Sequence, residues 1–321
     1  MSRSLNWNAS DYLRVGLIVA VPAVFALISE YFLSSGNLFA LMQNFALVGL
    51  VALGLSLTMV VGEFDLSVAS MVAVGGLILA KTGVDSAYIG VLCAVVFGLV
   101  VGLINALLVI RLKVSSLVST LGVMILLSGF GYWIADGNVV PYFNFDAADA
   151  LDAQIFYLLS PRINITIGAF FILYLVLKFT RLGRDLYATG SHRQAATMSG
   201  ANTSLSLFFA FACSGSFAAL AGALISISLA TGSPTLGDGL LIQAASAAIL
   251  GGVSLGGGVG KIHNIAIGVL ILAALNNGLS LLGVSSAVSL LINGSVLAFV
   301  VIMNGSLSEF ITQKMKKTAS A

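Results

Sequence analysis

The feature that most constrains this chain is a succession of long apolar runs separated by short polar loops. Most of these runs reach the ~20 residues that a helix needs to cross a bilayer. Of the 321 residues, 59% are hydrophobic and only 8% are charged, whereas a soluble domain usually carries about a quarter charged residues. None of the runs shows the alternating pattern of a membrane β-strand. The sequence therefore predicts an all-α polytopic membrane protein with a single transmembrane domain over residues 1–321.

Ten apolar runs are predicted to be transmembrane helices, and the third and eighth are short. They are Val15–Phe32, Ala40–Val61, Leu66–Ala80, Ala87–Ile110, Leu117–Ala135, Ile163–Phe179, Leu205–Ala230, Leu240–Leu250, Ile262–Leu282 and Ala287–Met303. Gly and Pro residues interrupt the sequence at the two short helices, near 62–80 and 232–250. A broken helix is tolerated in a bilayer only where protein buries it or where it lines a watery path. We therefore expect a solute to pass these two breaks.

Positive charge predicts the orientation of the helices. If both termini are cytoplasmic, 12 of the 14 Lys and Arg residues fall inside, as the positive-inside rule requires. The two outside are Lys81 and Arg162. The twelve inside are Arg3, Arg14, Arg111, Lys113, Lys178, Arg181, Arg184, Arg193, Lys261, Lys314, Lys316 and Lys317.

A faint internal repeat indicates two halves of opposite orientation. The sequence VSSLVS at Val114–Ser119 resembles VSSAVS at Val284–Ser289. Asn105 and Asn276 precede the two copies at nearly equal distances. An offset of five helices is odd, so the halves are expected to be inverted, as they are in many transporters. The predicted pseudo-repeats cover about residues 15–135 and 163–303, with five helices each.

A basic segment at residues 181–202, RLGRDLYATGSHRQAATMSGAN, interrupts the apolar pattern. Its positive charge places it in the cytoplasm. Gly190-Ser191 is a start signal and Ser199-Gly200 a stop signal for one short helix. A helix of this kind offers a surface on which another protein can push.

A few polar side chains near the apolar runs are candidates for lining a solute path. Glu63 and Asp65 are the acids closest to the bilayer core, although both fit a watery boundary as well, and Asp65 also fits an N-cap for the helix that follows. The amides either line the path or hydrogen-bond neighbouring helices. The predicted path residues are Glu63, Asp65, Ser67, Asn105, Asn276 and Asn277.

The glycine-rich sequence GGVSLGGGVGK at Gly251–Lys261 is predicted to be a tight turn on the cytoplasmic side. It fails as a phosphate-binding loop, because Leu255 occupies the first glycine position and Ile262 follows the lysine. It contains the letters of a nucleophile elbow but lacks the strand–turn–helix context. His192 and His263 have no partner set for a metal. We therefore predict no catalytic residue, no metal site and no enzyme activity.

The order of these motifs resembles that of the membrane permease subunits of bacterial sugar ATP-binding-cassette importers, the ribose-type group that also includes permeases for other monosaccharides and autoinducer-2. Between about Asn37 and Met303, the matching segments are Asp65–Val68, Thr180–Arg184, Ala195-Ala196 with Ser199-Gly200, Gly251–Leu255, and Asn276–Leu279 with Leu282–Ser285. Two positions depart from the family pattern. Gly62-Glu63-Phe64-Asp65 replaces the usual Gly-Gly-Ile-Asp, which puts ribose itself in doubt, and Gln194 replaces a usual Glu, which points to a particular ATPase partner.

The resemblance implies a permease of the bacterial inner membrane that imports a monosaccharide or similar small polar solute. Its expected partners are a cytosolic subunit that binds ATP and Mg, a periplasmic solute-binding protein, a second permease copy or homologue, and membrane lipid, but no nucleic acid. The chain itself is expected to bind no cofactor. The segment Gln194–Gly200 matches the helix that docks on the ATPase. The expected ATPase-coupling residues are Arg181, Arg184, Gln194, Ala195, Ala196, Ser199 and Gly200.

A secondary transporter driven by an ion gradient is the alternative, because inverted repeats and broken helices fit it equally well. Such a carrier needs charged or carbonyl groups near the bilayer midplane. Only Glu63 and Asp65 are candidates for that role. A passive channel fits the basic segment less well.

Overall fold

A computed structural model describes the backbone of residues 9–299 and the side chains of residues 14–299. This part of the chain forms thirteen helices and one two-stranded sheet. The helices are α1 Ala9–Ile28, α2 Ser35–Val60, α3 Val68–Thr82, α4 Ala87–Ile110, α5 Ser116–Ile134, α6 Phe145–Asp152, α7 Pro161–Phe179, α8 Arg181–Ser191, α9 Arg193–Met198, α10 Thr203–Ser228, α11 Leu240–Leu250, α12 Ile262–Leu281 and α13 Ser286–Phe299. The strands are β1 Val140–Pro141 and β2 Thr231–Gly232, which pair antiparallel.

Six of the helices within residues 9–299 are long and apolar enough to cross a membrane, namely α2, α4, α5, α7, α10 and α12. Four further apolar helices, which include α3, α11 and α13, are shorter. All ten occupy the positions of the predicted helices, so the polytopic helical class is confirmed, whereas ten crossings stay a prediction. The end of the tenth predicted helix lies outside the described residues. So do Arg3, Lys314, Lys316 and Lys317.

The two longest helices, α2 and α10, form the centre of the bundle. Each has 26 residues, and 61% of the apolar stretch of each is buried inside the protein. The α2 helix packs against α10, α11 and α12, while α10 packs against α2, α3 and α4. Glycines permit the close approach: a Cβ atom added at Gly102 of α4 would lie 2.2 Å from the Phe211 carbonyl oxygen of α10. Small residues of this kind let helices approach backbone to backbone in lipid.

The first break, residues 61–67, joins α2 to α3 and is held by side chains of α5. The Phe64 N–H donates to Ser116 Oγ at 3.2 Å, and the Leu66 N–H donates to Thr120 Oγ1 at 3.0 Å. The Thr120 hydroxyl also lies 3.3 Å from the Phe64 carbonyl oxygen. Because these hydroxyls satisfy backbone groups that a helix would have paired, the chain can leave the helical path here without exposing them.

The second break, residues 229–239, joins α10 to α11 and runs alongside α3. A Cβ atom added at Gly232 would lie 3.1 Å from Ala80 Cβ, and one added at Gly237 would lie 1.9 Å from the Ala69 carbonyl oxygen. Ala80 and Ala69 are separated by roughly 16 Å along α3, at 1.5 Å per residue. The segment therefore descends along most of the length of α3, and glycine is required where it touches the helix backbone.

Two regions differ from the sequence-based expectation. The basic segment forms two helices, α8 and α9, instead of one, because Thr180 caps an additional helix by accepting the Gly183 N–H at 3.2 Å. The expected outer loop contains β1 and the short helix α6, which Asn144 caps by accepting the Ala147 N–H at 3.1 Å. Helices α8 and α9 lie where α7 ends and α10 begins, whereas α6 and the sheet lie at the opposite end of the bundle.

Candidate functional site

The α8 helix lies against the end of the bundle with one buried face. Gly183, Leu186 and Thr189 are buried, a spacing of three residues that places them on the same side of a helix. Arg181 and Arg184 are exposed on the other side. The basic residues thus remain in solvent while the small and apolar ones attach α8 to the bundle.

The α9 helix projects from the same end. It begins after His192, whose Nδ1 accepts the Ala195 N–H at 3.1 Å, and it ends at Met198. The predicted start and stop signals are therefore correct for α9 to within about two residues. Gln194, Ala195, Ser199 and Gly200 are exposed, while Ala196 is buried.

Met198 was not identified from the sequence, and it is 90% exposed at the end of α9. The sequence signal that could have identified Met198 is an apolar side chain within a short polar helix. An exposed methionine on such a helix is typical of a surface that receives a protein partner.

Four glycines bring three distant segments together, and we call them the glycine junction: Gly62, Gly190, Gly257 and Gly258. A Cβ atom at Gly190 of α8 would lie 1.8 Å from the Val60 carbonyl oxygen, and one at Gly257 would lie 2.8 Å from Gly62 Cα. The Gly258 N–H donates to the Val60 carbonyl at 2.8 Å. The predicted tight turn at residues 251–261 therefore contacts both α8 and the first break. Because no side chain separates these backbones, we expect a displacement of α8 to move both the turn and the first break.

Two side chains reinforce the junction. The Tyr187 hydroxyl of α8 donates to the Gly260 carbonyl at 2.6 Å, and burial raises the pKa of this phenol, so it remains a donor at neutral pH. The guanidinium of Arg193, at the start of α9, forms an ion pair with Glu63 of the first break. Both charged residues line a cavity of about 540 Å³ that also includes Lys113.

Asp65 is fully buried at the first break and accepts four hydrogen bonds. Its Oδ1 accepts from the Ser67 hydroxyl at 2.6 Å, the Ser67 N–H at 3.0 Å and Asn105 Nδ2 at 3.4 Å. Its Oδ2 accepts from the Ser214 hydroxyl of α10 at 2.8 Å. Asp65 accepts the Ser67 N–H just before α3, but Ser67 is the N-cap of this helix, so the predicted cap at Asp65 is wrong. The expectation of a watery boundary is also wrong for Asp65. Ser214 was missed, because it is 149 residues away.

The remaining predicted path amides join neighbouring helices. Asn277 of α12 and Asn37 of α2 exchange two hydrogen bonds, of 2.9 and 3.0 Å. Asn276 accepts from Asn293 of α13 at 2.9 Å. Asn105 likewise donates to the Ser67 hydroxyl at 2.9 Å. The structure therefore gathers Asp65, Ser67 and Asn105 into one cluster and places the two α12 amides elsewhere.

A second cavity, of about 480 Å³, lies between α3, α5 and the second break. Its polar lining consists of Ser70, Ser128, Tyr132 and Asp238. None of the four was singled out from the sequence.

Comparisons with known proteins match nearly the whole chain to permease components of transport systems. The family described as branched-chain amino acid transport system / permease component matches residues 37–301. The ribose import permease protein of Bacillus subtilis (strain 168) is 33% identical over 294 residues, covering 90% of this chain and 91% of the relative. The L-arabinose transport system permease protein of Escherichia coli (strain K12) is 31% identical, covering 95% and 93%. The D-allose transport system permease protein of the same strain is 31% identical, covering 91% of each chain. No solved structure matches the chain.

Proposed function

Because the chain belongs to the family of branched-chain amino acid transport system permease components, we propose that it is the membrane subunit of an ATP-binding-cassette importer for a monosaccharide. Family membership confirms the resemblance predicted from the sequence. The solute class comes from the relatives, whose names specify ribose, L-arabinose and D-allose.

The arrangement of α8 and α9 supports ATP-driven coupling more than any other observation. The α9 segment exposes Met198 and all the predicted docking residues of 194–200 except Ala196, and α8 is joined through the glycine junction to the first break and to the glycine-rich turn at residues 251–261. We propose that a partner that pushes on α9 moves the first break and the glycine-rich turn through these contacts. We propose that a cytosolic subunit binds ATP and Mg and supplies this push. The present chain then acts as a transport subunit without an ATPase site.

The packing also supports two inverted halves. Two series of helices, α2–α5 and α10–α13, begin in the same way. Each starts with a 26-residue helix, which is followed by a break and then by a short apolar helix. Each long helix packs on the next two helices of the other series. The remaining helix of each predicted half, α1 in the first and α7 in the second, fits this symmetry less closely. The α1 helix packs mainly on α12, whereas α7 packs mainly on α2.

Charge supports an orientation in which α8 and α9 lie in the cytoplasm. The bacterial relatives support a location in the inner membrane of a bacterium. The α8–α9 end carries the cations Arg111, Lys113, Arg184 and Lys261, and Arg162 at the other end is paired with Asp152. A positive excess of this kind marks the cytoplasmic side. Both termini then lie inside.

We propose that the solute path passes the two breaks, between this chain and a second permease copy or homologue. Glu63 borders the 540 Å³ cavity at the cytoplasmic end. Asp65, Ser67 and Asn105 are buried, and their hydrogen bonds hold the first break in shape. Asn276 and Asn277 hold α12 against α13 and α2 in the same way. A periplasmic solute-binding protein would deliver the sugar at the opposite end.

Reconstitution tests this function directly. Proteoliposomes containing the chain alone are compared with proteoliposomes that also contain its co-purifying ATPase and the solute-binding protein, using radiolabelled D-ribose, D-allose and L-arabinose. We expect concentrative uptake only in the complete system and only with ATP. Concentrative uptake by the chain alone, driven by a proton or sodium gradient, would instead identify an ion-coupled carrier.

A further inference from the structure

The second cavity gathers four polar side chains that, within residues 14–299, make no hydrogen bond to protein groups. We propose that four residues form a contact site for the transported solute, namely Ser70, Ser128, Tyr132 and Asp238. In this site the Asp238 carboxylate accepts hydrogen bonds from sugar hydroxyl groups. This site rests on the proposed function and specifies where the solute is held.

The first argument is the depth of the second break. The segment runs beside α3 as far as Ala69. The α3 helix is one of the ten apolar helices. Its backbone is not helical between Gly232 and Gly239. Non-helical backbone at membrane depth is tolerated only where protein buries it or where it lines a water-filled cavity. One side of the segment is covered by α3, so the other side faces protein or water.

The second argument is the state of the Asp238 carboxylate. Asp238 is exposed, and among the described residues no hydrogen bond or ion pair engages its side chain. An ionisable group among membrane helices is costly to insert, and such groups face an aqueous pathway or a partner. The exposed side of the second break is therefore not a lipid surface.

The third argument is the chemistry of the lining. Ser70 and Ser128 contribute hydroxyls on α3 and α5, and Tyr132 contributes a ring that is 47% exposed. Within residues 14–299 these three side chains also lack hydrogen bonds to protein groups. The volume of about 480 Å³ falls within the ~300–1,000 Å³ of small-molecule sites. A carboxylate, two hydroxyls and an aromatic ring suit a neutral polyhydroxylated ring and disfavour an anionic solute.

The first break offers a contrast. Asp65 occupies the comparable place before α3, but all four of its interactions are with protein donors and it is fully buried. It cannot accept solute hydroxyls without losing these bonds. Of the three carboxylates in the breaks, Asp65 is buried among protein donors and Glu63 is paired with Arg193, whereas Asp238 remains available to a ligand.

Cysteine labelling tests whether the cavity is aqueous, without knowledge of the solute. In full-length chain carrying Cys93→Ala and Cys213→Ala, Ser128→Cys is exposed to a membrane-impermeant methanethiosulfonate in the complete complex. Asp149→Cys, on exposed α6, is the reactive control. We expect Ser128→Cys to react, with a rate that changes at least fivefold between the nucleotide-free and ATP–vanadate-trapped states. No reaction in either state, beside a reactive control, overturns the proposal.

Uptake tests the role of the carboxylate. With radiolabelled D-ribose, D-allose and L-arabinose, we expect Asp238→Asn to lower uptake at least tenfold, Asp238→Glu to retain part of it, and Asp149→Asn to leave it unchanged. ATPase co-purification should be retained by all three variants, which controls for folding and assembly. Wild-type uptake by Asp238→Asn overturns the site. If the unmodified complex transports none of the sugars, the proposed function fails instead, and the labelling result still decides the nature of the cavity.

Discussion

The ion pair between Glu63 and Arg193 provides a test of how α9 is linked to the first break. The two residues are separated by 130 positions in the chain. The family resemblance predicts glycine at the position of Glu63, and we therefore expect the link to be specific to this chain. Replacing either residue with Gln removes the charge attraction and leaves the glycine junction intact. We expect both single variants to fold and to bind the ATPase, but to transport more slowly.

The burial of the two side chains sets the size of the effect. Arg193 is 43% exposed and Glu63 is 13% exposed. Fully exposed pairs contribute about 0.2–1 kcal/mol, and removing one partner of a buried pair costs about 3–5 kcal/mol. A half-buried pair lies between these limits, at about 1–2 kcal/mol. We expect the pair to lower the barrier to transport by transmitting the motion of α9 to the break. At ~1.4 kcal/mol per tenfold in rate, each single variant should then lose about 5–30-fold in uptake rate.

A double-mutant cycle is the assay. ATP-dependent uptake is measured for the unmodified complex, Glu63→Gln, Arg193→Gln and the double variant, with ATPase co-purification as the control for docking. We expect the double variant to be no slower than either single variant, and the exchange of Glu63→Arg with Arg193→Glu to recover part of the rate. Losses that simply add, with a coupling energy below about 0.3 kcal/mol, would show that the pair does not link α9 to the break.

Three further predictions concern the buried carboxylate, the helix crossing and the docking surface. Asp65→Ala should cost about 3 kcal/mol, because it leaves buried donors unpaired, whereas Asp65→Asn should cost less than about 1.5 kcal/mol; chemical unfolding in detergent measures both, and equal losses would contradict the hydrogen-bond argument. Gly98→Ala should lower the melting temperature, because its Cβ would lie 2.3 Å from a backbone carbonyl of α10, while Gly122→Ala, in open space, should leave it unchanged or slightly raised; the reverse order would refute the close crossing. Met198→Asp should abolish ATPase co-purification, and Val139→Asp, exposed at the other end of the bundle, should not; a retained ATPase with Met198→Asp would exclude this side chain from the docking surface.

Local signals in the sequence account for much of the fold. The apolar runs predicted all ten apolar helices, with the bounds of α11 correct at both ends and those of α3 correct to within two residues. These features are set by hydrophobicity and by Gly or Pro close in sequence, which act over one or two helical turns. The missed helices, α6 and α8, are polar and therefore invisible to an apolar pattern, and they depend on the caps Asn144 and Thr180.

Only the tertiary structure decides what each polar residue does. Asp65 and Asp238 both precede short apolar helices, yet one is enclosed by Asn105 and Ser214 while the other faces a cavity. The glycine junction likewise depends on segments that are more than 60 residues apart. The physical reason is that lipid is as apolar as a protein core, so the periodicity of a membrane helix does not reveal which face meets protein. The sequence by itself determines that this chain is a helical membrane permease, whereas the packing of α4 and α10 around the first break decides that Asp65 is buried while Asp238 faces a cavity.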